Sequence, residues 1–184
     1  MTSQPSTIRT VPPERTTATG ERADEFVDSM YRAHAVELIR LALLLVGDQH
    51  TAEDVVQDAY LGLQGGLGRL RDTGKALPYL RASVVNGCRS VHRRRSRVSP
   101  HAAAPEPPPV WSAEAAVVAG EDRRAVLAAV AGLPERSREV LAFRYFLDLP
   151  DGEIAAALRV SRSTVSSTAS RALVMLARKL EEQQ

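Results

Sequence analysis

Only one cysteine, Cys88, occurs in 184 residues, which excludes an internal disulfide and a cysteine-built metal site. Aromatic residues make up 4% of the chain, so a core must be assembled from Leu, Val and Ala. That composition suits small helical bundles better than sheet sandwiches. The four histidines, His34, His50, His92 and His101, are scattered and form no metal-ligand pair at i and i+4. The glycines from Gly62 to Gly74 precede no Gly-Lys-Ser/Thr element, and no nucleophile motif occurs. No run approaches the roughly 20 apolar residues that a membrane span requires. The most apolar stretch, Leu38 to Val46, is short and contains Arg40. The N-terminus lacks the apolar centre of a signal peptide. These absences lead to the expectation of a cytoplasmic protein with no enzyme activity, cofactor, metal, membrane partner or small-molecule substrate.

Acidic residues are missing from a long stretch in the middle of the chain. Between Thr73 and Pro105 there is no Asp or Glu, while Lys75, Arg81, Arg89, Arg93, Arg94, Arg95 and Arg97 all fall there. The formal net charge is just +2, so this is a local island of one sign in a balanced chain. Such an island points to a polyanion, or else to a solvated basic face.

Helical periodicity dominates what is present. Residues 1–20 are rich in Thr, Ser, Pro and Arg and bury too little to order, so they read as a tail. A helical pattern runs from Asp24, with a break near His34, to Val46, where Gly47 ends it as a C-cap. Thr51 is the expected cap of a helix from Ala52 to Leu63, followed by a glycine-rich loop to Gly74. Pro78 suits the first turn of a helix that continues to Arg95. Pro100, Pro105, Pro107, Pro108 and Pro109 then mark a linker. Helices are expected from Ala113 to Ala131 and from Glu135 to Leu147, and a helix-turn-helix over Asp151 to Arg178. The expected fold is all-α: two small helical domains, 21–97 and 113–184, on a Pro-rich linker at 98–112.

Three surfaces carry functional expectations. On the helix from Ala52, the core side is Val55, Val56, Ala59, Tyr60 and Leu63, and the other side presents Asp54, Gln57, Asp58 and Leu61. A leucine among carboxylates and an amide suits a docking patch for a basic partner. Ordinary helix polarity explains the acidic residues near the N-terminus equally well, but Asp58 and Leu61 poorly. On the next helix, Leu80, Val84, Val85, Cys88 and Val91 form the buried side. Tyr79, Ser83, Asn86, Arg89, Ser90 and Arg93 form the opposite stripe. An aromatic ring stacks on an unpaired base, an amide reads a base edge and arginines hold backbone. The alternative for Tyr79 is simple packing, whereas Asn86 inside a helix works against helix propensity. On the last helix, Ser161 is the N-cap. Val165, Ala169, Ala172, Leu173 and Leu176 form the core face, and Arg162, Ser163, Thr164, Ser167, Ser170 and Arg171 face outward. Hydroxyls and arginines on a slender helix fit a major groove about 12 Å wide.

This order of surfaces resembles an extracytoplasmic-function sigma factor of RNA polymerase, nearest to the actinobacterial branch, over about Asp24 to Leu180. Ala52-Glu53-Asp54-Val55-Val56-Gln57-Asp58-Ala59-Tyr60 is similar to the region 2.2 signature, and Leu80-Arg81-Ala82-Ser83-Val84-Val85-Asn86 to regions 2.3 and 2.4. Leu133-Pro134-Glu135-Arg136 through Arg171-Ala172 resembles region 4. The resemblance implies a promoter-recognition subunit whose partners are core polymerase (β′ clamp helices and β flap), promoter DNA and an anti-sigma factor. It implies that Asp54, Gln57 and Asp58, with Leu61, meet the clamp helices. Asn86 would line a pocket for a flipped base of the −10 element, with the Gly65–Gly74 loop helping to choose it. Arg89 and Arg93 would hold the adjoining backbone. Arg162, Ser163, Thr164, Ser167 and Arg171 would enter the −35 major groove.

The chain departs from the family pattern in four places. Tyr79 stands where tryptophan is usual, Arg159 where the turn often has glycine, and Ser166 and Thr168 where the family often has cations. Two rival readings are a free-standing dimeric helix-turn-helix regulator, which has no use for the acidic helix, and a helical adaptor between proteins.

Overall fold

A computed structural model describes residues 15–69, 72–98 and 121–182. Its α-helices are α1 (Arg15–Val46), α2 (Gln49–Gly66), α3 (Ala76–Val98), α4 (Glu121–Ala131), α5 (Glu135–Leu141), α6 (Asp151–Leu158) and α7 (Arg162–Glu181). Short 3-10 turns at Leu67–Arg69 and Thr73–Lys75 link α2 to α3, and a π-helical turn at Ala142–Phe146 prolongs α5. Among the described residues there is no strand, as an all-α chain requires.

Helix α1 is continuous. The break expected near His34 is absent, and residues 15–20, assigned to the tail by composition, are helical. Leu38, Leu41, Ala42 and Leu45 recur at helical spacing and are fully or almost fully buried. Once a helix is nucleated on such a face, each added turn costs little. Residues 1–14 lie outside the described residues, as does the Pro-rich stretch with the expected start of the next helix at Ala113.

Gly47 stops α1 with φ 83°, its N–H donating to the Leu43 carbonyl at 2.8 Å. Only glycine adopts that conformation without a Cβ penalty. The cap of α2 is Asp48 rather than Thr51. Asp48 holds an extended backbone, and its Oδ1 accepts the Thr51 N–H at 2.9 Å. Helix α2 also outlasts the expected end at Leu63, because that side chain is buried and Gln64 Nε2 donates to Asp24 Oδ1 at 2.8 Å. The helix expected from Glu135 to Leu147 widens after Leu141. The Leu147 N–H reaches back to Ala142 O at 3.1 Å, which seats Phe143 in the core and turns Tyr145 and Phe146 outward.

Helices α1 to α3 form one bundle and α4 to α7 a second. Leu38, Leu41, Leu63, Leu80, Val84 and Val85 fill the first core. Val140, Phe143, Ile154, Leu158, Val165 and Ala169 fill the second, and both sets belong to a single apolar cluster. α1 touches α4, α5 and the π-helical turn, and α3 touches α6. The bundles therefore lie directly against each other.

Asp48 does two jobs: its Oδ2 also receives Arg95 Nη2 at 2.5 Å. Burial opposes ionisation, but the Thr51 hydroxyl and amide and the Arg95 guanidinium outweigh it and hold the carboxyl below its ordinary 3.8. A carboxyl depressed by folding stabilises at pH above its unfolded value, and that contribution is lost as pH falls through the folded value. We expect Asp48→Ala to cost about 1 kcal/mol in urea unfolding at pH 7, and the difference from the parent chain to shrink below about pH 4. A constant difference down to pH 2.5 would contradict this assignment.

Candidate nucleic-acid interface

Helix α2 buries Val55, Val56, Ala59, Tyr60 and Leu63 and leaves Asp54, Gln57, Asp58 and Leu61 outside. Leu61 is 57% exposed. Among the described residues, no hydrogen bond or ion pair engages Asp54, Gln57 or Asp58, so both carboxylates face solvent. The patch is acidic, with an exposed leucine at its C-terminal edge.

Beside it, α2 and α3 enclose a groove of about 400 Å³ lined by Asp58, Gly62, Tyr79, Ser83, Ser90 and Arg94. Two glycines set its shape. A Cβ on Gly87 would stand 2.7 Å from Val55 Cγ1, so the Val55 side chain packs directly onto the α3 backbone there. A Cβ on Gly62 would stand 3.2 Å from the Tyr79 hydroxyl, so the phenol lies across α2 at a position without a side chain. Tyr79 keeps 38% of its surface exposed at the mouth of this groove.

A hydrogen-bonded rail follows along α3. Ser90 Oγ donates to Asn86 O at 3.0 Å, Arg93 Nη2 donates to Ser90 Oγ at 2.8 Å, and Arg89 Nη1 donates to Asn86 Oδ1 at 3.3 Å. Arg89 thus holds the Asn86 amide by its oxygen and leaves the amide nitrogen pointing away from that bond. Asn86, Ser90 and Arg93 are exposed, and Ser83 is half-buried.

Arg89 departs from the expected free stripe. It is half-buried, with Nε on Glu139 Oε1 at 2.5 Å and Nη2 on Glu139 Oε2 at 2.6 Å. That hydrogen bonding raises the guanidinium pKa above its ordinary value, so the charge is permanent. Two more arginines of the basic island are also spent internally. Arg81 pairs with Glu37 at 3.0 Å, and Arg95 closes the end of α1 through Val46 O at 3.0 Å as well as Asp48. Lys75, Arg93, Arg94 and Arg97 remain exposed. Glu139 was missed because it lies 50 positions from Arg89 with no local pattern to link them.

On α7, Ser161 Oγ accepts the Thr164 N–H at 3.1 Å and lies 2.8 Å from the hydroxyls of both Ser163 and Thr164. Arg162, Ser163, Thr164, Ser167, Ser170 and Arg171 are all exposed, and all but Arg162 share one face of α7. Ser167 and Ser170 rest on backbone carbonyls one turn back at 3.2 and 3.1 Å, and Arg171 Nε rests on Ser167 O at 3.2 Å. Arg162 lies over Gly152, where a Cβ would come within 2.9 Å of its Nη2. Two expectations need correction. Thr168 is 7% exposed, so a cation there would be buried, and only Ser166 is an outward position lacking one. Leu173, read as core, is exposed, since α7 turns its apolar face through Thr168 and Ala172 instead. A groove of about 660 Å³ that was not anticipated runs beside Thr168, between Pro134 and Arg136 on one side and Arg171, Val174 and Met175 on the other. Val174 beside Arg171 was its sequence signal.

The turn before α7 carries strain. Arg159 takes φ 54°, ψ 52°, the left-handed C-cap that usually belongs to glycine. Its N–H still closes α6 onto Ala155 and Ala156. Arg159→Gly should stabilise the chain by about 1 kcal/mol and raise the thermal midpoint by a few degrees. A lower midpoint would show that the arginine side chain contributes more than its backbone costs.

Among the described residues, no helix is long and apolar enough to cross a membrane, and no group of three His, Cys, Asp or Glu is placed to hold a metal. Two family models match the chain: Sigma-70 region 2 over residues 30–98 and Sigma-70, region 4 over residues 123–176. The ECF RNA polymerase sigma factor SigM of Mycobacterium tuberculosis is 32% identical over 153 residues, covering 83% of this chain and 76% of the relative. The RNA polymerase sigma-E factor of Streptomyces coelicolor is 31% identical over 144 residues, covering 78% and 79%. Two solved structures share the fold. CnrH, in complex with the cytosolic domain of CnrY, has a TM-score of 0.67 at 19% identity and covers 91% of this chain and 97% of its own. The sigma factor RpoE of Bartonella quintana, in complex with the anti-sigma factor NepR, has a TM-score of 0.65 at 18% identity and covers 92% and 100%.

Proposed function

We propose a specific division of labour for this chain, which belongs to the ECF branch of the sigma-70 family and is an RNA polymerase sigma factor. Sigma factors are initiation factors rather than catalysts, and we assign this chain no reaction of its own and a place in the cytoplasm. The first bundle, 21–97, docks on core polymerase and reads the −10 element. The second, 113–184, reads the −35 element, and 98–112 tethers them. Asp54, Gln57 and Asp58 meet the β′ clamp helices, with Leu61 as the apolar contact. The observation that carries this is the exposed, internally unpaired acidic patch with exposed Leu61 one turn beyond Asp58. Carboxylates that serve only the fold would be paired or capping, as Asp48 and Glu139 are.

The groove between α2 and α3 supports the promoter reading. Tyr79 offers a half-open ring at its mouth, and Asn86, held by Arg89, offers an oriented amide. Arg93 and Arg94 supply charge for the backbone. Unstacking a base costs a few kcal/mol, and a second contact upstream helps to offset it. That contact is the α7 stripe of Arg162, Ser163, Thr164, Ser167, Ser170 and Arg171 in the −35 major groove. The apolar groove beside Val174 and Met175 fits the β flap. An anti-sigma factor is a further partner, as for the Bartonella neighbour.

Mixing the full chain with core polymerase tests the docking face. We expect co-elution on size exclusion, and its loss in Asp58→Arg with far-UV circular dichroism unchanged. Undiminished co-elution would remove α2 from the contact. Asn86→Ala should lower permanganate reactivity of the melted promoter by about tenfold or more, the loss expected of one base contact, while duplex affinity of the holoenzyme changes by less than about threefold. Equal losses in both would place Asn86 in duplex binding instead.

A further inference from the structure

The groove between α5 and α7 has the make-up of a small-molecule site. Its volume of about 660 Å³ lies within the roughly 300–1,000 Å³ typical of such sites. Pro134, Val174 and Met175 supply apolar walls, and Val174 is 54% exposed. Met175 packs on a small cluster of Leu133, Leu141 and Ala172 that is separate from the main core. An unbranched thioether there can adjust its rotamer to a guest without disturbing that core.

The polar groups in the groove are few and mostly unspent. Ser137 and Thr168 are 6% and 7% exposed, and both line it. Among the described residues, no hydrogen bond engages either hydroxyl. A hydroxyl withdrawn from water without a partner costs free energy, and an acceptor brought into the groove removes that cost. Two arginines line the groove, and their commitments differ. Arg136 gives Nη1 to Glu139 Oε2 at 2.9 Å and Nη2 to Leu158 O at 3.2 Å. Arg171 spends only Nε, on Ser167 O at 3.2 Å, which leaves both of its Nη groups available among the described residues. No acidic residue is among those lining the groove.

This combination selects an anion with an apolar tail. A bare inorganic anion leaves Val174 and Met175 uncovered. An uncharged hydrocarbon leaves Arg171 and the two hydroxyls unanswered, and both arginines repel a cation. We propose that the groove binds an aliphatic carboxylate, its tail against Pro134, Val174 and Met175 and its head on Arg171. A guanidinium grips a carboxylate and a phosphate with the same fork. Arg171 is also a −35 contact in the reading above, and the ligand's effect on DNA rests on that role. A bound carboxylate takes Arg171 away from the duplex, so amphiphilic acid and −35 DNA compete for one side chain.

Calorimetric titration of the full chain with octanoate, decanoate and dodecanoate, each below its micellar concentration, reads the site. We expect one ligand per chain, binding about fivefold more tightly for each added pair of methylenes. Decyltrimethylammonium, with the tail of decanoate and a cationic head, should bind about tenfold more weakly than decanoate. Val174→Asp, at an exposed position, should abolish dodecanoate binding with far-UV circular dichroism unchanged. Arg171→Gln should weaken decanoate about tenfold and keep the dependence on tail length. Saturating dodecanoate should lower the parent's affinity for a mixed-sequence duplex at low salt about threefold, and leave that of Arg171→Gln unchanged. Absence of dodecanoate binding overturns the site. Equal binding of decanoate and the ammonium, or several weak ligands per chain, reduces it to adventitious adsorption. Binding that survives Val174→Asp overturns its location. A ligand-free chain that sediments as a dimer, monomeric in Val174→Asp and binding no dodecanoate, assigns the groove to a second copy instead. Duplex affinity indifferent to bound dodecanoate overturns the competition. The −35 reading fails separately, if Arg171→Gln leaves the duplex affinity of the ligand-free chain intact.

Discussion

A carboxylate taken out of water must find cations, and in this chain that requirement joins the two halves. Glu139 is nearly sealed, yet it stands on α5, whose other buried side chains, Ser137, Val140 and Leu141, carry no charge. Arg136 supplies one cation from the same helix, and Arg89 supplies the other from α3. Removing one partner of such a buried pair costs about 3 to 5 kcal/mol, because the remaining charge is stranded. Separating the bundles intact is different. Both charges then recover water, and Glu139 retains Arg136. What separation does forfeit is the apolar contact that continues from the first core into the second. The contact between the bundles therefore combines apolar burial with an ion pair that sets its register.

Much of this was legible in the sequence because it is local. Helical periodicity pointed to the helices among the described residues, Gly47 and Ser161 marked an end and a start, and α2 turned its polar stripe outward as the pattern required. The errors share a physical cause. Thr51 and Asp48 are both good caps, and the choice depended on the Arg95 guanidinium arriving from α3. The π-helical turn at Ala142–Phe146 answers the demand of Phe143 for the core, which no local rule expresses. Arg81, Arg89 and Arg95 looked alike as members of a basic island, yet their partners lie 44 to 50 positions away. Charge counted along a chain overstates charge presented to a ligand whenever tertiary contacts consume it.

The scarcity of aromatic side chains has a related consequence. Small residues let helices approach closely, and at Gly87 the approach to Val55 leaves no room for a Cβ. That closeness brings the acidic face of α2 against the polar stripe of α3, so Asp58 and Tyr79 line the same groove. A larger residue at Gly62 or Gly87 would separate the two surfaces or reorient the tyrosine. The docking patch and the proposed base groove are then two edges of one helix pair, and a partner bound at α2 touches the wall of the groove that α3 presents.

Electrostatics finally argues that DNA binding by this chain is conditional. Its net charge is +2, three arginines of its basic island are internally paired, and the outward stripe of α7 is mostly hydroxyl. Hydroxyls read shape and base edges but contribute little to the counterion release that drives non-specific affinity. Each bundle alone should therefore hold DNA weakly. Tethered on one polymerase, the second contact becomes intramolecular, and two weak sites combine into a strong one only when their spacing matches the span. Weak individual contacts thus make the chain's selectivity depend on polymerase geometry.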